Sequence, residues 1–280
     1  MSDQPGSPIR RAFADLPFGQ VHYRHAGSGR PLLLLHASPG GSKQLESLIV
    51  EMARTHRVIS PDTPGNGDSA RLPIAAPAIT DYAAALPALM DVLGIDKADV
   101  YGSHTGACIA AELAILAPDR IGSAVLDGVG LYPPALRNDL LARYAHPFTP
   151  DVEGAYLMRA FQFLRDQFMF FPWYERNRAH RRDAGLGSPA YLHAWLVELL
   201  KAAETYPLAY RAAFAWDAAG RLPLVTRPSL LIASADDPLH DDTVKAAALC
   251  PAGRFASMPR GDDPQFVERR TALIVEFLGG

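Results

Sequence analysis

Only two cysteines, Cys108 and Cys250, occur among 280 residues, and each falls inside a predicted helix. That excludes a disulfide framework and a cysteine-built metal site. Long apolar runs are missing too. The strongest is Leu32-Leu33-Leu34-Leu35, far too short to span a bilayer, and the polar start Met1-Ser2-Asp3-Gln4-Pro5-Gly6 leads into no run of signal-peptide length. A cytoplasmic protein without membrane partners is therefore expected. There is also no surplus of charge of one sign: the formal net charge is -3, and Lys and Arg are scattered. The one basic cluster, Arg176-Asn177-Arg178-Ala179-His180-Arg181-Arg182, reads as a solvated helix face, so nucleic acid is not an expected partner. With 49% hydrophobic and 20% charged residues, the chain can form one domain with an insertion. One more absence matters for chemistry: no histidine follows His240.

What is present is an alternation of strands and helices, the pattern of a mostly parallel sheet covered on both faces. Arg10 to Phe18 and Gln20 to Ala26 read as an opening strand pair joined at Gly19, and Pro31 to His36 as a buried strand. A helix from Lys43 to Thr55, a strand over Arg57 to Ser60 and a helix from Ile79 to Leu93, stopped by Gly94, come next. Strand Ala98 to Tyr101 then runs into Gly102-Ser103-His104-Thr105-Gly106, after which Thr105 to Leu116 is an alanine-rich helix. After a strand from Ser123 to Asp127 the alternation stops. From Leu131 to Ala218 helical patterns rich in aromatics take over, Phe168 and Trp173 among them. It resumes with a strand over Ser229 to Ala233, a helix near Asp242 to Leu249, a strand over Arg254 to Met258 and a helix from Gln265 to Leu278.

The segment Val100 to Cys108 is the centre of this plan. Gly102 and Gly106 remove side chains where strand and helix nearly touch, so the residue between them can be held in a strained turn and pushed into a cleft. This resembles the nucleophile elbow Gly-x-Ser-x-Gly of the α/β-hydrolase fold. Here the apex is His104, and the serine stands one place early, at Ser103, where it is expected to face the sheet or a neighbouring helix. Pro61-Asp62-Thr63-Pro64-Gly65-Asn66-Gly67-Asp68-Ser69 closely resembles the same family's Asp-x-Pro-Gly-x-Gly-x-Ser turn, which shapes the cleft without reacting.

The resemblance implies an α/β-hydrolase core over 1–130 and 219–280, with a helical cap over 131–218 above an apolar substrate chamber. It implies an oxyanion hole at the N–H groups of Ala37 and Thr105, with His36 and Ser38 in the loop beside substrate and Phe168 and Trp173 reaching it from the cap. The family's acid position matches Asp237 in Asp236-Asp237-Pro238; in members resembling haloalkane dehalogenases the acid stands instead where this chain has Asp127. The family's histidine is expected within Pro259-Arg260-Gly261-Asp262-Asp263-Pro264, so Asp262 stands in its place.

An imidazole at the elbow and a carboxylate in the imidazole's place disfavour an ordinary serine esterase. Three readings remain. One is a cofactor-free enzyme on a small, largely apolar carbonyl compound, hydrolase or lyase, in which His104 is a general acid/base or nucleophile oriented by Asp262 and by Asp237 or Asp127. A placed imidazole is worth about 10² to 10⁴ in rate and an oxyanion donor about 10² to 10³. The second is a ligand-binding or regulatory member that has lost catalysis. In the third, His36, His104, Asp127, Asp237 and Asp262 gather a metal ion, although their spacing matches no local metal motif. His240 reads as a surface loop residue, and Arg165-Asp166 as a pair on a helix exterior. A small-molecule substrate is the expected partner, with a homodimer left open.

Overall fold

Alternation of side chains across a strand explains how the sheet comes to be covered twice. In the computed structural model, which describes residues 7–279, Leu33 and Leu35 of strand β3 (Arg30–Leu35) join one apolar cluster while Leu32 and Leu34 join another on the opposite face. All four leucines are buried, each worth about 1.5 to 3 kcal/mol relative to exposure. A strand with two apolar faces must be sandwiched, and helices do this from both sides.

The strands are β1 (Arg10–Leu16), β2 (Gly19–Ala26), β3, β4 (His56–Pro61), β5 (Ala98–Ser103), β6 (Ile121–Asp127), β7 (Ser229–Ser234) and β8 (Gly253–Met258). They form one eight-stranded sheet in the order β1-β2-β4-β3-β5-β6-β7-β8. Pairing is antiparallel for β1/β2 and β2/β4 and parallel from β4 onward. The helices are α1 (Glu46–Met52), α2 (Ile79–Val92), α3 (Thr105–Leu116), α4 (Pro134–Arg143), α5 (Ala155–Met169), α6 (Pro189–Lys201), α7 (Tyr206–Ala215), α8 (Ala218–Arg221), α9 (His240–Ala247) and α10 (Phe266–Gly279). Leu48 and Ile49 of α1 and Ile274 and Leu278 of α10 pack with Leu32 and Leu34. Leu86 and Leu89 of α2 and Ala110 and Ala111 of α3 pack with Leu33 and Leu35. This is the α/β architecture expected from the alternation.

Several expected boundaries shift. The strand expected to stop at Tyr101 pairs with β6 as far as Ser103, which delivers the chain directly to the turn. The helix expected from Lys43 to Thr55 opens as a 3₁₀ turn over Ser42–Leu45 and ends at Met52. The opening strand stops at Leu16 and its partner starts at Gly19.

Helices α4 to α7 form an excursion between β6 and β7 with a core of its own, built of aromatics: Phe163, Tyr206 and Tyr210 are buried, with Trp173 and Phe148 packed against them. Arg165 and Asp166 are not an exterior pair. Asp166 is fully buried in the excursion and holds both Arg165 and Arg176, because a carboxylate out of water needs charged partners. Among the described residues no helix is long and apolar enough to cross a membrane.

Candidate active site

The turn after β5 places an imidazole where the parallel strands end. His104 has φ 49 and ψ -107, the one non-glycine residue with positive φ among the described residues. The structure holds this conformation because neighbouring backbones come very close. A Cβ on Gly102 would collide with the Gly106 carbonyl, and one on Gly106 with the Leu35 carbonyl of the next strand. The amide of His104 donates to the carbonyl of Asp127 at 2.7 Å. Gly128 then gives the ring its place: a Cβ there would stand 2.7 Å from Cδ2 of His104.

His104 lines a cavity of about 330 Å³. Its floor is the C-terminal ends of β5, β6 and β7, at Ser103, Asp127 and Ser234, and its roof comes from the excursion at Phe168, Arg182 and Tyr210. Ser103, expected to face away, borders the same cavity, because the turn is tight enough for successive residues to reach it.

The ring's partner is Asp237, from the turn after β7. Nε2 of His104 lies 2.8 Å from Oδ2 of Asp237, whose Oδ1 accepts the Leu239 N–H at 2.7 Å. A carboxylate only accepts, so Nε2 carries the hydrogen and Nδ1 has no protein partner among the described residues. Burial favours the neutral ring, but the charge and hydrogen bond of Asp237, with the charge of Asp127, outweigh it, and the His104 pKa lies above its ordinary value although Arg182 opposes this. Burial likewise penalises the Asp237 carboxylate, yet His104 and the Leu239 N–H hold its pKa below the usual range. Each member of the pair thus favours the charged form of the other.

Asp127 ends β6 opposite Ser103 and takes a different partner. The hydroxyl of Tyr101 donates to its Oδ2 at 2.5 Å. Burial raises the pKa of Asp127 despite that bond and the charge of Arg270, and burial with the Asp127 charge places Tyr101 well above the usual phenol value. Ala37 and Thr105 both border the cavity, and neither N–H has a protein acceptor among the described residues. The loop carrying Ala37 is held firmly. Nδ1–H of His36 donates to the Ala37 carbonyl at 2.9 Å, and Nε2 of His36 accepts the Thr63 N–H at 2.8 Å. The hydroxyl of Tyr210 stands 2.8 Å from both the Ser38 carbonyl and Oε1 of Gln167, its single hydrogen serving one at a time.

Several expected site residues are elsewhere. Asp262 is 61% exposed, ion-paired to Arg260 and outside the cavity, because Arg260 draws the loop outward toward Asp183. His36 is buried beneath the loop with both ring nitrogens engaged, so it supports Ala37 and does not line the cavity. Trp173 packs edge-on to Phe163 inside the excursion and spends its N–H on the Tyr144 carbonyl. Ser38 and Phe168 do line the cavity, and His240 stays outside it. The five residues weighed as metal ligands do not converge, since His36 is saturated and Asp262 is remote. Among the described residues His22, Asp62 and Asp68 cluster within 4.8 Å, but Asp62 is spent on His22 and on the N–H groups of Ser42 and Asp68, and Asp68 on Lys201.

The chamber is not apolar throughout. Arg182, assigned from sequence to a solvated face, and Arg270 of α10 both line it, among Phe168, Phe171 and Phe214. Sequence reasoning missed both arginines and Tyr101. The basic cluster was a signal for Arg182, but nothing local said which of its residues turns inward.

Residues 30–258 match the sequence profile of the alpha/beta hydrolase fold family. A 2-hydroxy-6-oxo-6-phenylhexa-2,4-dienoate hydrolase of Burkholderia cepacia is 27% identical over 262 residues, covering 86% of this chain and 84% of that protein. Haloalkane dehalogenase 2 of Mycobacterium tuberculosis is 30% identical over 157 residues, 55% of this chain and 54% of that one. Among solved structures, an enol-lactonase from Burkholderia xenovorans superposes with a TM-score of 0.74 at 18% identity, over 96% of this chain and 100% of that one. An epoxide hydrolase from Vigna radiata gives 0.74 at 18%, over 97% and 98%. At such identities these structures speak for the fold alone.

Proposed function

This chain belongs to the α/β-hydrolase fold family, and from that premise we propose that it is an acid–base enzyme of the family that cleaves a bond next to the carbonyl group of a small substrate, with His104 in place of the nucleophilic serine. The observation that carries the reading is the imidazole at the elbow apex, facing the chamber and held through Nε2 by Asp237. In its imidazolium form His104 offers the Nδ1 proton to the leaving atom or to the carbon beside the carbonyl. The neutral ring left behind takes a proton from the water that adds to the carbonyl carbon, so the broken bond is replaced by a C–O bond to that water. The leaving group departs with the ring's first proton and the imidazolium is restored, while Asp237 remains a carboxylate throughout. Such a transfer is worth about 10² to 10⁴ in rate. The N–H groups of Ala37 and Thr105 take up the charge developing on the carbonyl oxygen, with the N-terminus of α3 adding its partial positive charge. Tyr101 and Asp127 border the same floor, and the buried pair fixes its polarity. The helical excursion serves as the cap, excluding water and supplying Arg182, whose buried Nε has no partner. An unpaired guanidinium in a chamber wall suits a substrate carboxylate. The relatives named as dienoate hydrolases support the same substrate class, an oxo acid, in place of a wholly apolar compound.

The test is turnover and intact mass with activated acyl esters and with 6-oxo-2,4-dienoates, on wild type, His104→Ala and Ser103→Ala, each checked for folding. Loss with His104→Ala alone is expected, with no acyl adduct on wild type. Loss with Ser103→Ala alone, or an adduct on Ser103, would replace this mechanism by a serine one. No turnover of any member would favour the ligand-binding reading.

A further inference from the structure

Two cationic groups of the chamber wall lack a counter-ion of their own. Asp237 is taken by His104, and Asp127 contributes at most one negative charge, shared with the Tyr101 hydroxyl. Against these stand two guanidiniums, Arg182 and Arg270, that make no ion pair among the described residues. Several arginines elsewhere are matched: Arg165 and Arg176 hold Asp166, Arg143 holds Asp139 and Glu175, and Arg260 holds Asp183 and Asp262. Nε of Arg182 and Nε of Arg270 are each buried without an acceptor. Both side chains are half-buried, and a guanidinium whose Nε is shut off from water without an acceptor is satisfied by an anion that reaches it, so two in one cavity wall suit anions from outside the chain.

The two arginines serve different parts of the cavity. Arg182 donates through Nη1 to the Gln167 carbonyl at 2.7 Å, and its charge is felt by His104 and Asp237. Arg270 lies over the ring of Phe266, 5.2 Å from the centroid, and its charge is felt by Tyr101 and Asp127. Stacking on Phe266 holds the guanidinium plane in place before any ligand arrives, which lowers the ordering cost of binding. The loop carrying Asp262 has turned outward to Arg260 and Asp183, so Arg270 is the one charged side chain that α10 and the loop before it give to the cavity wall.

We propose that Arg270 forms an anion subsite at the Tyr101–Asp127 side of the chamber, separate from Arg182, so that the substrate is an oxo compound with two anionic groups. This rests on the reading of the cavity as a substrate chamber, but not on the role given to His104. A guanidinium presents paired N–H donors that match a carboxylate, so a dicarboxylate is the chemical class that satisfies both orphaned groups.

The experiment is a binding titration, followed by tryptophan fluorescence, with 4-oxoheptanedioate, its monomethyl ester and its dimethyl ester on the whole protein. The diacid is expected to bind about tenfold to a hundredfold tighter than the monoester, with the preference shrinking as salt is raised. Arg270→Gln should bring the diacid down to the monoester's level while leaving the dimethyl ester unchanged, and Arg270→Lys should keep an intermediate preference. A diacid-to-monoester ratio unchanged in both Arg270 variants would overturn the subsite and leave Arg270 as a support for Phe266. Equal binding of diacid and dimethyl ester by wild type would overturn it without any variant. Binding is read without turnover, so failure of the acid–base mechanism leaves these outcomes distinct.

Discussion

The sheet and the helical excursion are packed by different means, and they govern different properties. The sheet is cemented by aliphatic side chains from both faces and by continuous backbone pairing, with Gly102 and Gly106 allowing approach so close that the elbow has one conformation. The excursion has a separate aromatic core and meets the sheet layer through Ala209 and Ala212 of α7, which join the sheet's apolar cluster, and through a few polar contacts. Thr205 Oγ1 donates to the Gly65 carbonyl at 2.5 Å, Lys201 pairs with Asp68 at 2.9 Å, and Tyr210 reaches Ser38. The position of His104 is thus a property of the sheet, whereas the roof of the chamber, with Arg182, belongs to the excursion.

Changes at the elbow should strike rate, and changes in the excursion should strike affinity. The largest effect is expected from His104→Ala, a fall in kcat of about 10² to 10⁴ with KM little changed. Asp237→Asn should cost about 10² in kcat and move the imidazole's titration to lower pH, because burial then acts on His104 without its counter-charge. Its stability effect has a defined window. The raised His104 pKa contributes stability that is complete below the usual imidazole value and lost as pH rises through the folded value. The lowered Asp237 pKa contributes stability that is complete above the usual carboxylate value and lost as pH falls through the folded value. The difference in Tm between wild type and Asp237→Asn should therefore peak between about pH 4 and pH 6.5 and shrink on either side.

Gly106→Ala tests the sheet itself: pushing a methyl against the Leu35 carbonyl should cost about 1 to 3 kcal/mol in denaturant unfolding and displace the elbow. Thr205→Val loosens the excursion instead, at about 0.5 to 1.5 kcal/mol, and should raise KM more than it lowers kcat. Asp262→Asn should change kcat/KM by less than twofold and stability by within about 0.5 kcal/mol, as suits an exposed rim residue. A large loss of kcat there would return Asp262 to the site and undo the division between the two regions.

The sequence by itself determined what depends on neighbours along the chain. The run of leucines dictates a strand buried on both faces, and Gly-Ser-His-Thr-Gly dictates a tight strand-to-helix turn with His104 at its apex. The turn after β7 put Asp237 within reach, because parallel strands all end on the same side of the sheet. Tertiary structure alone decided where long or surface-derived side chains point. Asp262 was drawn away by Arg260, His36 turned under the loop it supports, and Trp173 was taken into the excursion's own core. Arg182 left its basic cluster and Arg270 left its helix face for the cavity. The physical reason is reach: a backbone turn is fixed by a few local torsions, whereas a guanidinium on a flexible stem goes wherever burial, aromatic contact and charge from distant segments together make its energy lowest.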